Sequence, residues 1–291
     1  MKVELIKYGH LKYNTIKPQI EEIGYPFQTF GRDICKSPSL PYSLHTEYSA
    51  SRLNEQTIKE LEKFGFIHLA KSLKSGKANL WCSTEWTKDF ISFINYIVIN
   101  KLNNKIPKII EIHPPYIEKK DYQTTLRNFF ENYKIFELAM KRYYGNNIII
   151  LIENRNQSGN FLLSKSSDYI EFQKMIIQYE LDLKLIVDIP QLYGKMIRSF
   201  KKSTPKELIK MMINDLLLCT DTIGGFHICG KSHRGDFNDL FGENKKYFLE
   251  NLKTIVDDIK HTIYIVPEIM KQQDFENIMV DIQEYKIFNF K

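Results

Sequence analysis

Short runs that are apolar throughout alternate along this chain with longer stretches whose apolar residues recur every three or four positions. The first pattern predicts strands buried on both faces, and the second predicts helices lying over them. Strands are expected at 2–8, 25–30, 64–70, 108–115, 146–155 and 183–190, in the run leading to His227, and at 262–269. Helices are expected over 54–64, 84–100, 121–143, 168–180, 204–218, 245–260 and 273–285. The clearest is 121–143, where Tyr122, Leu126, Phe129, Tyr133, Phe136 and Met140 share one face. Asp168 with Glu171, and Thr204 with Glu207, read as capping boxes that open two of these helices. Strand followed by helix, repeated eight times, predicts an α/β chain folded as one TIM (β/α)8 barrel domain over 1–291. The rival open, doubly wound sheet lacks its signature. No GxGxxG follows the first strand, and there is no P-loop.

Polar residues then mark one end of this pattern. His68, His113, Glu153, Asp188, His227 and Glu268 each stand at or just past the end of a predicted strand. They lie roughly 35–45 residues apart, the length of one strand–helix unit. A closed barrel gathers all such ends on one face, so six remote groups would converge. After His227 a glycine-punctuated loop adds His233 and Asp236. Imidazoles mixed with carboxylates suit Zn²⁺ or Mn²⁺, and so many donors exceed the needs of one tetrahedral ion. Two metals are expected, with Glu153 or another carboxylate bridging them. His113, Glu153 and Glu268 are the expected catalytic groups.

Composition adds bounds. With 43% hydrophobic residues in 291, the chain can bury a large core, and 13% aromatics argue against disorder. Cys35, Cys82, Cys219 and Cys229 form neither a CxxC pair nor a zinc-ribbon spacing, which suggests reduced thiols and a cytoplasmic setting. The first residues lack a signal-peptide pattern, and no run is long enough to span a bilayer. No nucleotide-cofactor motif is evident. The formal net charge of +6 permits a nucleic-acid or phosphate partner. Arg32, Lys71, Arg155, Gln191, Lys231 and Arg234 fall in loops expected on the active face, as candidate substrate-binding groups. Tyr42, Tyr116 and Tyr193 are candidate stacking aromatics on the same rim.

These segments resemble the xylose-isomerase-like barrel superfamily, most closely its endonuclease IV branch. Phe27-Gln-Thr-Phe30 is similar to the family's second-strand segment, and His68 with Asn79-Leu80 to its third-strand histidine. His113-Pro114 and Glu153-Asn154 resemble the fourth- and fifth-strand motifs, and Asp188, His227 and Glu268 take the later ligand positions. The resemblance implies a metal-dependent phosphodiesterase that cleaves DNA at abasic or related sites. His68 and His113 would hold one metal and Asp188, His227 and Glu268 a second. Glu153 would be shared between them, and a hydroxide bridging the metals would attack phosphorus. Three departures stand out. Gln191 replaces a histidine, Asp236-Phe-Asn238 replaces Asp-x-His, and the family's Asn-Asp just after the seventh-strand histidine is missing around Cys229-Gly230. The first two strike the family's third metal, for which His233 and Asp236 are the remaining candidates. The superfamily also implies an alternative, a sugar isomerase or epimerase acting on a small sugar or sugar phosphate. It would use one divalent metal on Glu153, Asp188, His227 and Glu268, with His68 and His113 binding substrate.

Overall fold

In the computed structural model, the described residues are 2–14, 16–24, 38–46, 55–74, 81, 83–117, 121–155, 161–230 and 235–290. Among them, eight parallel strands close into a barrel: β1 (Val3–Lys7), β2 (Ile20–Gly24), β3 (Tyr42–His45), β4 (Ile109–Ile112), β5 (Ile149–Glu153), β6 (Lys184–Asp188), β7 (Ile223–His227) and β8 (Ile263–Val266). Each strand pairs with the next, and β8 returns to β1 through Val3 opposite Ile263 and Leu5 opposite Ile265. This is the TIM (β/α)8 architecture that the repeated pattern predicts.

Two layers of apolar packing follow from the parallel sheet being covered on both sides. Inside the barrel, Ile6, Ile20, Ile109, Leu151, Ile186, Tyr264 and Val266 form a compact plug. Outside it, the helices bury their apolar stripes against the strands. They are α1 (Glu55–Lys63), α2 (Ile67–Lys74), α3 (Thr84–Lys101), α4 (Tyr122–Tyr144), α5 (Ser166–Gln178), α6 (Ile189–Ser199), α7 (Pro205–Leu217), the short α8 (Phe237–Phe241), α9 (Lys245–Asp258) and α10 (Gln272–Glu284). The Thr204–Glu207 box caps α7 as expected. The Asp168–Glu171 box does not form. Asp168 instead lies inside α5 and accepts from the backbone N–H of Ser164 and Lys165.

Trp81 is the largest fully buried side chain. It meets Phe90, Phe129 and Phe136 edge-on, and its indole N–H donates to the carbonyl of His113 at 3.1 Å. It thus ties the helical layer to the segment where β4 ends. Trp81→Ala is expected to cost about 3–5 kcal/mol, read from the urea midpoint.

Two strands differ from expectation. The second strand is Ile20–Gly24, and the stretch 25–30 lies outside the described residues, as does Asn79-Leu80. The third is Tyr42–His45, whereas 67–74 is helix. The run 64–70 misleads because a short apolar stretch fits either period. On α2 and just before it, Phe66, Leu69 and Ala70 are buried while Ile67 faces out at 52% exposure, a helical spacing. A further helix, α6, follows β6 directly, with Asp188 as its N-cap. Tyr42 and Tyr193 are core residues rather than rim aromatics.

Candidate metal centre

Five of the six expected groups meet where the strands end. His113, Glu153, Asp188, His227 and Glu268 are all buried at the C-terminal mouth, on β4 to β8 or just beyond. His68 does not join them. It is exposed on α2, where its backbone N–H caps onto Asp89 at 2.7 Å. The imidazole that comes from the third strand is His45. His233, Arg32, Lys231 and Arg234 lie outside the described residues. Asp236 belongs to neither donor cluster. It caps α8 and accepts from the Asn277 amide at 2.9 Å.

The donors form two groups that share one carboxylate. His45, Glu111, His113 and Glu153 make the first, and Glu153, Asp188, His227 and Glu268 the second. In the first group the Nε2 atoms of His45 and His113 are 3.3 Å apart. His45 Nε2 is 3.4 Å from Glu153 Oε2, and His113 Nε2 is 2.7 Å from the same oxygen. A tetrahedral ion with bonds of ~2.1 Å separates its ligand atoms by ~3.4 Å, close to the His45 spacings. In the second group His227 Nδ1 faces Glu268 Oε2 at 3.3 Å and Glu153 Oε1 at 4.0 Å. Neither ring nitrogen of His227 makes a well-directed hydrogen bond to a described residue, although both are buried. Buried polar atoms of this kind are normally satisfied. A divalent cation suits these donors, which are three imidazoles with several carboxylates.

Two side chains hold the shared groups in place. Gln191, on the first turn of α6, donates its amide to Glu153 Oε1 at 2.7 Å and to Asp188 Oδ2 at 2.6 Å. It clamps the two carboxylates together. Asn154 accepts from the Asp188 N–H and donates to the Asp188 carbonyl, locking the ends of β5 and β6 together. Arg155, half-buried next in sequence, places positive charge near His113.

The electrostatics follow from crowding. Burial resists ionisation of Glu153, but His227, His113 and His45 outweigh it and hold its pKa well below the carboxylate range. Burial, then the neighbouring Glu153 and Glu268, push Asp188 up to about 8. Burial favours neutral rings at His45 and His227, yet the facing carboxylates, Glu111 foremost, lift both well above an ordinary imidazole. Burial and Arg155 lower His113. The raised groups share one sign. A proton kept by folded Asp188 up to pH about 8 is released near pH 4 in the unfolded chain, so its stabilisation fades as pH rises through that window. His45 and His227 add the same trend above about pH 6.5. Depressed Glu153 acts oppositely, but only in acid, near and below its ordinary 4.5. The chelated protein is therefore expected to lose thermal stability from about pH 6.5 to 8. A divalent cation held there would replace those protons, and the loss should then disappear. Melting curves across this range, with and without chelator, check it.

The signals missed in the sequence were Glu22, His45 and Glu111. His45 ends a strand of only four residues, and Glu111 is the sole acid inside the apolar run of β4. The spacing of Glu111 two residues before His113 places both on the inner face, which is the one cue available.

No family model matches the chain, and no curated protein matches it. Solved structures do. A family 2 AP endonuclease from Brucella melitensis aligns over 98% of each chain at 12% identity, with a TM-score of 0.51. A 3-keto-D-glucoside 4-epimerase from E. coli aligns over 99% of this chain and 100% of its own at 9% identity and TM-score 0.47. A D-psicose 3-epimerase from Clostridium cellulolyticum H10 aligns over 99% and 96% at 10% identity and TM-score 0.44. Sugar epimerases recur among these structures. At such identities the likeness is one of fold, the closed (β/α)8 barrel already described.

Proposed function

We propose that a chain with this barrel and this cluster is a divalent-metal-dependent phosphodiesterase acting on DNA. The observation that supports it most is the sharing of Glu153 between two four-residue donor groups. His45 and His113 flank it on one side, and Asp188, His227 and Glu268 on the other. Two divalent ions held there would make a water nucleophilic near neutral pH and offset charge on phosphoryl oxygens. The chain's own groups do the positioning. Gln191 aims Glu153 and Asp188 together, and Asn154 holds the backbone beneath Asp188. Arg155 brings cationic charge to the side of His113, whereas Lys71, expected in a strand-end loop, is exposed on helix α2 instead. Cationic charge beside His113 would favour an anionic backbone over a neutral sugar.

A second reading has its own observation. Gln191 and Asn238 stand where the endonuclease pattern has histidines, and Asp236 is engaged as a helix cap. Glu153, Asp188, His227 and Glu268 alone suffice for one ion. A sugar isomerase or epimerase needs no more, with Glu153 and Glu268 exchanging a proton beside a hydroxy-carbonyl unit. Elemental analysis, paired with assays on abasic DNA, intact DNA and ketoses in Mn²⁺ or Zn²⁺, separates the two. Two ions per chain with cleavage of DNA supports the phosphodiesterase. One ion with ketose epimerisation and intact DNA overturns it in favour of the isomerase. No bound ion overturns both.

A further inference from the structure

Two buried carboxylates, Glu22 and the Glu111 of the first donor group, also lie behind histidines of the site. Glu111 points inward from β4 and is 1% exposed. Glu22 comes from β2 with its side chain 6% exposed. Each lies against the ring of a histidine on the side away from that histidine's donor group. Glu22 Oε1 is 2.9 Å from His45 Nδ1, while His45 Nε2 faces His113 and Glu153. Glu111 Oε1 is 3.0 Å from His227 Nε2 without being aligned for a hydrogen bond, while His227 Nδ1 faces Glu268 and Glu153.

We propose that Glu22 and Glu111 are positioning residues: Glu22 already bonds the ring of His45, and Glu111 would accept the N–H of His227 after a small turn of that ring on metal binding, so that His45 presents Nε2 and His227 presents Nδ1 to the metals. This rests on the metal reading above and adds to it the two residues that orient its ligands. A neutral imidazole carries one N–H and one lone pair, and the partner of the N–H decides which nitrogen is left to ligate. With the N–H of His227 directed to Glu111, the lone pair on Nδ1 looks at two carboxylates. That arrangement is repulsive unless a cation stands between them. The same logic applied to His45 directs Nε2 toward the first donor group. Opposite choices of nitrogen on two histidines are thus explained by acids on opposite sides. Glu111 Oε1 also lies 3.3 Å from His45 Nε2, so a direct ligand role for Glu111 is the rival.

The test uses the full chain with Zn²⁺ and Co²⁺ as probes. Metal content and affinity are measured by chelator competition for the wild type, Glu111→Leu, Glu111→Gln and Glu22→Gln, with circular dichroism to check folding. Removing an acceptor behind a ligating histidine weakens binding by about 10–100-fold, the result expected for Glu111→Leu. Glu111→Gln keeps an acceptor oxygen and should recover most of that loss. All variants should retain the wild-type ion count and the wild-type intensity of the Co²⁺ visible spectrum. If Glu111→Leu does not fold, a drop in affinity for Glu22→Gln at unchanged ion count still supports the proposal. Wild-type affinity in every folded variant overturns it. So does the loss of one ion in Glu111→Gln, which would make Glu111 a ligand. A wild type that binds no ion instead removes the metal reading itself.

Discussion

Glu153→Gln is expected to lower turnover by on the order of 10²–10⁴ while leaving the barrel folded. The amide has nearly the same shape, so the packing around β5 is unchanged. What disappears is the charge that the two donor groups share. His113 Nε2 at 2.7 Å and His45 Nε2 at 3.4 Å would face a neutral group. Gln191 would have to turn its own amide or lose its bond to Oε1. On the proposed two-metal reading both ions would be held more weakly, so bound metal per chain should fall along with turnover. Turnover on DNA, elemental analysis and circular dichroism check the three parts. Full activity in Glu153→Gln would show that the shared carboxylate is not where the chemistry happens.

Gly225→Ala should be the most damaging methyl at any described strand glycine. Gly225 pairs with Tyr264 in the β7–β8 ladder. A Cβ at this position would sit 2.2 Å from the Tyr264 carbonyl oxygen and 3.1 Å from its carbonyl carbon. These atoms belong to backbone in a closed sheet, so they cannot swing aside as a side chain would. Overpacking of this kind costs about 3 kcal/mol or more. The damage also reaches function, because His227 lies two residues further along the same strand. A lowered urea midpoint is the expected outcome, together with weaker metal binding on the proposed reading. A variant with wild-type stability would mean that β7 and β8 lie further apart than described.

Much of this was legible from residues in order. β4 to β8 are apolar runs that each end in one polar group, so His113, Glu153, Asp188, His227 and Glu268 could be picked out, and the structure brings them together. The third strand escaped because Tyr42-Ser-Leu-His is too short to show a period. Its place was taken by a more apolar run that forms α2. Glu22 escaped for the opposite reason. The strand Ile-Glu-Glu-Ile-Gly looks too polar for a barrel wall, and it is so because Glu22 turns toward His45.

The order of the amino acids alone thus indicated a barrel of repeated strands and helices with donors at the ends of β4 to β8, since burial periodicity is a local property written every few residues. It did not say which nitrogen of His45 or His227 faces a metal, nor that Glu111 reaches across to β7. Those relations exist only after the wall closes and strands far apart in the chain stand side by side. They are contacts between side chains from different strands, and no local pattern carries them.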